Sequence, residues 1–342
     1  MPGHRCPADG GTVNTAARSA SAPLWGALCV VAASVLWGST GTAATFAPAV
    51  SPLAIGAVAM GVGGLLQALY AAGAIAGQWQ GLLDRWRLVS LGAVAVAVYP
   101  LAFYSSMRLS GVAVGTVVSI GSAPLAAALI ERFSDRKPLT RRWMAGAFLG
   151  VSGAALLSFA GHGPSGAGSP GTSLSSLAGI ALGLVAGATY ALYSWAAHRL
   201  IGRGLSSRAA MGAVFGLGGV LLMPVLAVTG RPLVESWTNF SVGAYMALVP
   251  MFAGYVVFGW GLARIRASTA TGISLLETVV AAVLAVFVVG ERLPPLGWLG
   301  AAVVIFSLFI LTPRQSARGP LAPPSPAGER LAQQQAGAQP HQ

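Results

Sequence analysis

Apolar residues in this chain are gathered into long blocks separated by short polar stretches. The blocks fall at residues 24–44, 52–72, 88–106, 112–130, 143–160, 177–197, 210–229, 242–262, 269–289 and 295–312. About 20 residues at 1.5 Å each span the hydrocarbon of a bilayer, so each block has roughly the length of one crossing. The pattern predicts an all-α integral membrane protein with ten transmembrane helices. Residues 161–176, GHGPSGAGSPGTSLSS, read as a flexible linker. Residues 1–22 and 313–342 are small, polar or rich in Pro, Ala and Gln, and are expected to be disordered cytoplasmic tails. Ala47-Pro48-Ala49 could pass for a signal-peptidase site, but the block before it is long and the later blocks repeat its pattern, so an uncleaved helix is expected.

The basic residues test this count. With the N-terminus inside, ten crossings leave 17 Lys and Arg on the inner side and only Arg108, Arg231 and Arg292 outside. That asymmetry follows the positive-inside rule and places both termini in the cytoplasm. The two halves also overlay. Trp37 meets Tyr190, Gly61-Val62-Gly63-Gly64 meets Gly216-Leu217-Gly218-Gly219, Phe103 meets Phe258 and Gly146 meets Gly300, all at shifts of 153 to 155. Units 24–160 and 177–312 therefore read as five-helix repeats. Because five is odd, the second enters the membrane from the opposite side, and inverted repeats are a hallmark of secondary transporters.

Composition narrows the class further. Of 342 residues 55% are hydrophobic and 8% charged, where a soluble domain carries about a quarter charged residues. The net charge of +12 sits in short loops, which argues for topology signals and against nucleic acid. Two cysteines and four scattered histidines support neither a disulfide framework nor a metal site. No phosphate-binding loop or nucleotide fingerprint occurs, so no cofactor and no direct drive by ATP are expected.

One residue breaks the apolar pattern. Glu277 stands within a turn of the middle of the ninth block, where a charge is costly and marks function by default. Ser274, Ala270 and Ala281 make its helical face small and partly polar, suited to a cavity or another helix. It can exchange protons or bind a cationic group of a substrate. Equally, it can be a neutral acid hydrogen-bonded to Ser274 or Thr278 in helix packing. Trp37, Tyr99, Tyr190, Tyr193, Phe252 and Tyr255 have spacings that fit an aromatic pocket, with packing or an interfacial belt as the competing reading. Pro100, Pro124, Pro224 and Pro250 read as hinges or fixed bends. Glu131-Arg132 and Glu291-Arg292 read as solvated or anchoring pairs.

Leu36-Trp37-Gly38-Ser39-Thr40-Gly41, Ala123-Pro124-Leu125, Leu276-Glu277, Gly290-Glu291-Arg292 and Gly297-Trp298-Leu299-Gly300 together resemble the EamA-type transporters of the drug/metabolite transporter (DMT) superfamily. The resemblance covers residues 24–312. It departs where Gly56-Ala57-Val58-Ala59-Met60 lacks an Arg often found in the second helix, where Glu277-Thr278 replaces Glu-Pro, and where Arg136-Lys137 replaces Gly-Glu. It implies a bacterial inner-membrane protein. The expected function is secondary export of a small metabolite, amino acid or drug-like compound by alternating access, with protons as the coupling ion. A membrane-embedded enzyme acting on lipid or isoprenoid would need a second acid at the depth of Glu277, and a non-transporting scaffold would not need the repeat.

Overall fold

The computed structural model describes residues 12–110, 112–136, 138–161, 173–290 and 292–312. The expected C-terminal tail, residues 1–11 of the N-terminal one, most of the expected linker and Glu291 lie outside the described residues.

Those residues form a bundle of helices: α1 (Thr12–Thr45), α2 (Pro52–Gly77), α3 (Trp86–Ser110), α4 (Val112–Ser134), α5 (Arg141–Gly161), α6 (Ser173–Gly202), α7 (Ser207–Thr229), α8 (Trp237–Leu262), α9 (Ala267–Val289) and α10 (Pro295–Leu311). In lipid every backbone polar group must be satisfied within the segment, which is why apolar blocks of this length become helices. Eight of the stretches, all but α5 and α10, are long and apolar enough to cross a membrane, and the protein is a multi-pass membrane protein. The 17-residue α10 packs along α5. The first helix begins at Thr12, before the apolar block, so part of the expected N-terminal tail is helical.

Short-range chemistry sets the helix ends. Ser51, Ser206 and Ser236 each accept a hydrogen bond from the backbone N–H three residues on, opening α2, α7 and α8. Gly290 closes α9 in the left-handed region at φ 81°. Asn239, which begins a glycosylation-type sequon, lies in the first turn of α8 with its Nδ2 bonded to the Pro232 carbonyl.

The glycine motifs of the two halves meet. A Cβ on Gly64 of α2 would lie 2.2 Å from the Phe215 carbonyl oxygen of α7, and one on Gly219 would lie 2.6 Å from that of Gly61. The backbones are therefore in contact. Gly153 of α5 and Gly300 of α10 approach each other the same way. Small residues let membrane helices pack this closely, with van der Waals contact holding them.

Three helices depart from α geometry. α2 is π-helical over Val58–Val62, α8 over Ala247–Ala253 and α9 over Ala285–Val289. Pro250 lies inside the second of these, so that predicted bend is realised as a π-helical segment.

Candidate functional site

The local structure around Glu277 differs from the unbroken helix that the sequence suggests. α9 is regular from Ala267 to Ile273, turns at Ser274 and Leu275, and resumes at Leu276. Across this joint the Glu277 N–H bonds to the Ser274 carbonyl at 3.0 Å and the Thr278 N–H to that of Leu275 at 3.1 Å, so the turn is tightened to three-residue spacing. Glu277 thus stands in the first turn of a half-helix, where the helix dipole favours an anion. The joint is pinned from α6, whose Tyr190 hydroxyl donates to Ser274 Oγ at 2.8 Å.

The hydroxyls expected to hold Glu277 are engaged elsewhere. Ser274 Oγ donates to the Thr271 carbonyl at 2.9 Å, and Thr278 Oγ1 to that of Leu275 at 2.7 Å. Among the described residues the Glu277 carboxyl has neither a hydrogen-bond partner nor an ion pair. It lines a cavity of about 430 Å³.

That cavity fills the half of the bundle where α1, α3 and α9 end, and it reaches the surface at Thr45 and Arg292, both exposed. One side is built of small residues, including Gly38, Gly41 and Thr42 of α1 and Ala281, Ala282 and Ala285 of α9. The other is built of large ones, among them Tyr99, Phe103 and Tyr104 of α3 and Met251 of α8. All three π-helical segments contribute to the wall, through Met60, Met251 and Val286.

Of the residues singled out in the sequence, Glu277, Trp37, Tyr99, Tyr190, Tyr255 and Thr278 line this cavity. Ser274 is fully buried behind it. Tyr193 lies beneath, its hydroxyl 2.7 Å from that of Tyr255. Phe252 is not brought to the site and packs edge-on against Tyr70 at 5.9 Å. Sequence reasoning passed over Tyr104, the cavity methionines and Arg292. Arg292 stands at the cavity mouth, while Glu291, its expected partner, lies outside the described residues.

Below Glu277 the cavity has an aromatic floor. Trp37 packs on Tyr255 at 4.8 Å and on Phe258 at 5.1 Å, and Phe215 lies 4.4 Å from Tyr255. The Trp37 indole also donates to the Pro250 carbonyl at 2.9 Å, tying α1 to the π-helical part of α8.

Beyond the floor the opposite end of the bundle is closed by polar ties. Asp135, directly after α4, pairs with Arg199 of α6 and accepts from Trp195 Nε1 at 3.0 Å. His198 Nδ1 lies 2.6 Å from the Leu262 carbonyl. Glu131 corrects the picture of a solvated pair with Arg132: it is 2% exposed and accepts from the Ser268 N–H at 3.1 Å and from Ser268 Oγ at 2.7 Å. Its partner is the start of α9, not Arg132.

Comparison with known proteins bears on the family and the fold. The sequence profile of the EamA-like transporter family matches twice, over residues 24–159 and 177–312. The uncharacterized transporter YwfM of Bacillus subtilis (strain 168) is 32% identical over 287 residues, 83% of this chain and 93% of YwfM. A protein of Streptantibioticus cattleyicolor named "Probable terminal-alkyne amino-acid exporter" is 24% identical over 298 residues, 83% of this chain and 95% of that one. A solved crystal structure at 17% identity superposes with a TM-score of 0.66, covering 84% of this chain and 96% of its own, a likeness of fold.

Proposed function

This chain belongs to the EamA-like transporter family, and from that premise we propose that it is a secondary active exporter of a small amine-bearing compound, working by alternating access with Glu277 as the proton and cation site. The observation that carries the reading is the unpartnered Glu277 carboxyl in a cavity of about 430 Å³. That volume lies in the range of roughly 300–1,000 Å³ typical of small-molecule sites. A carboxylate among aromatic faces attracts a cation, and the same carboxylate can hold a proton instead, which makes the two exclusive and gives antiport. The half-helix that begins beside Glu277 is the device by which transporters place such groups near the midplane.

Arg292 sets a further limit on the substrate. It is fifteen residues along the chain from Glu277, and helical rise alone separates them by roughly 18 Å up to the end of α9. The two side chains therefore stand at different depths, Arg292 at the mouth and Glu277 further in, and a small amino acid that enters the cavity passes the first on its way to the second. The export activity named for the Streptantibioticus cattleyicolor relative supports an amino acid with an apolar side chain as the first substrate to try. Among the described lining residues Glu277 is the one acid, which favours a transporter over a membrane enzyme that works with paired acids.

The architecture that goes with this function is ten crossings in two inverted repeats, 24–160 and 177–312, both termini cytoplasmic, in a bacterial inner membrane. Contact between the glycine motifs of α2 and α7, and between those of α5 and α10, supports a pseudo-two-fold axis passing between equivalent helices. In this orientation the cavity faces outward and the polar ties close the cytoplasmic end. Cysteine placed at Gly204 is expected to react with an impermeant thiol reagent only from inside, and at Ser236 only from outside; the opposite pattern reverses the assignment.

Flux tests the function. Purified protein in liposomes is expected to take up or release radiolabelled apolar amino acids and amines when a pH gradient is imposed, at rates well above empty liposomes. Absence of flux for every amino acid, amine and cationic dye tried overturns the proposal.

A further inference from the structure

The two carboxylates at the closed end stand four residues apart, Glu131 in the last turn of α4 and Asp135 directly after its end, where the Asp135 N–H still bonds to the Glu131 carbonyl at 3.0 Å. Glu131 reaches α9 and Asp135 reaches α6. Glu131 is not part of the wall around Glu277, and among the described residues it has no ion-pair partner. A fully buried carboxylate held only by a serine is costly, and the cavity around Glu277 makes no use of it.

Its partner explains what it does. The first N–H groups of any helix lack intrahelical acceptors. The N-cap of α9 is Arg266, whose side chain makes no capping hydrogen bond. A carboxylate from a different helix fills the place and also takes the Ser268 hydroxyl. Here a cap that is normally local joins two elements 137 residues apart in sequence.

We propose that Glu131 is the positioning residue that holds the first turn of α9 against α4, keeping the end of the bundle beyond the aromatic floor shut so that Glu277 faces the opposite cavity alone. Parting α4 from α9 in a dry interior leaves the carboxylate and the Ser268 N–H without partners. Parting them with water entering between replaces both bonds. The tie therefore favours the two end states, dry and shut or wet and open, over anything between them. Asp135 with Arg199 and Trp195 braces α4 against α6 in the same closed state.

The inference rests on the alternating-access reading, and its test needs neither substrate nor gradient, so it fails separately from the flux experiment. With Cys6 and Cys29 replaced by serine, two reporters are built. Ser194→Cys is fully buried, one turn from Tyr190 toward Arg199, and reports from the closed side. Thr278→Cys lies in the cavity and reports from the open side. Adding Glu131→Ala is expected to raise the labelling rate of Ser194→Cys by an impermeant reagent, applied on the side of the α6–α7 turn, about tenfold or more, the change that about 1.4 kcal/mol makes in a population. Labelling of Thr278→Cys from the other side is expected to hold or fall, since the population open to that side can only shrink. Glu131→Gln keeps an acceptor for the N–H and a group for the hydroxyl, and is expected to stay near wild type. Unchanged labelling at both reporters overturns the proposal. A rise at both shows a loosened protein instead of a shifted equilibrium, and overturns it too.

Discussion

Glu277→Gln is expected to abolish uptake driven by a pH gradient in liposomes while leaving protein yield and size-exclusion profile unchanged. The two halves of that result have separate reasons. The amide has the shape of the acid but carries no charge and does not titrate, so it loses both the substrate cation and the proton. Truncating one partner of a buried charge pair costs about 2–5 kcal/mol, which at about 1.4 kcal/mol per tenfold is a loss of about thirtyfold to several thousandfold. Folding is spared because the carboxyl has no protein partner to lose among the described residues. Its favourable place in the first turn of a half-helix is worth only about 0.3–1 kcal/mol. Wild-type flux that depends on pH in this variant removes Glu277 from the coupling role. A variant that fails to express would point instead to a carboxyl that holds the joint at Ser274 and Leu275 together.

Gly64→Val is expected to lower the melting temperature steeply or to prevent recovery of monodisperse protein in detergent. The reason is the 2.2 Å that would separate a Cβ there from the Phe215 carbonyl oxygen. A clash with backbone cannot be relieved by a rotamer change, so α2 and α7 must separate. Overpacking costs about 1–3 kcal/mol where side chains can adjust, and this site lies at or beyond the upper end. Gly73 lies on the same helix with nothing within 4 Å of its would-be Cβ, and Gly73→Ala is expected to be neutral or to gain about 0.5–1 kcal/mol from helix propensity. Equal melting temperatures for the two variants would show that the glycine contact does not hold the halves together.

Much of this was legible in the chain. The bilayer leaves a long apolar block no choice but a helix, so the helices from Pro52 onward start and stop near the predicted positions. The repeat was legible because glycine cannot be exchanged where two backbones touch, and Gly64 and Gly219 are such places. Glu277 was legible because an acid inside a crossing stands out against its neighbours. Other features depend on partners far away in sequence. Glu131 is three residues from the end of α4 and looks solvated until Ser268 at the start of α9, 137 residues on, is laid against it. The joint at Ser274 and Leu275 has no proline to announce it, and its geometry is settled by Tyr190 from α6. Phe252 and Tyr255, three apart, have the spacing of residues that share a helical face. They part because the π-helical segment ends between them at Ala253, and each extra residue in a turn rotates the side chains beyond it.

The three π-helical segments have a meaning for the cavity wall that goes beyond their location. Each stores a surplus of one residue within a helix whose two ends are anchored by the membrane and by its caps. If the surplus moves along by a turn, the side chains it passes swing by about 100° around the helix axis, while the anchored ends stay in place. Met60, Met251 and Val286 sit on these sliding defects. The wall of the cavity can thus be re-faceted from within, one thioether or methyl at a time, with neither end of the helix displaced.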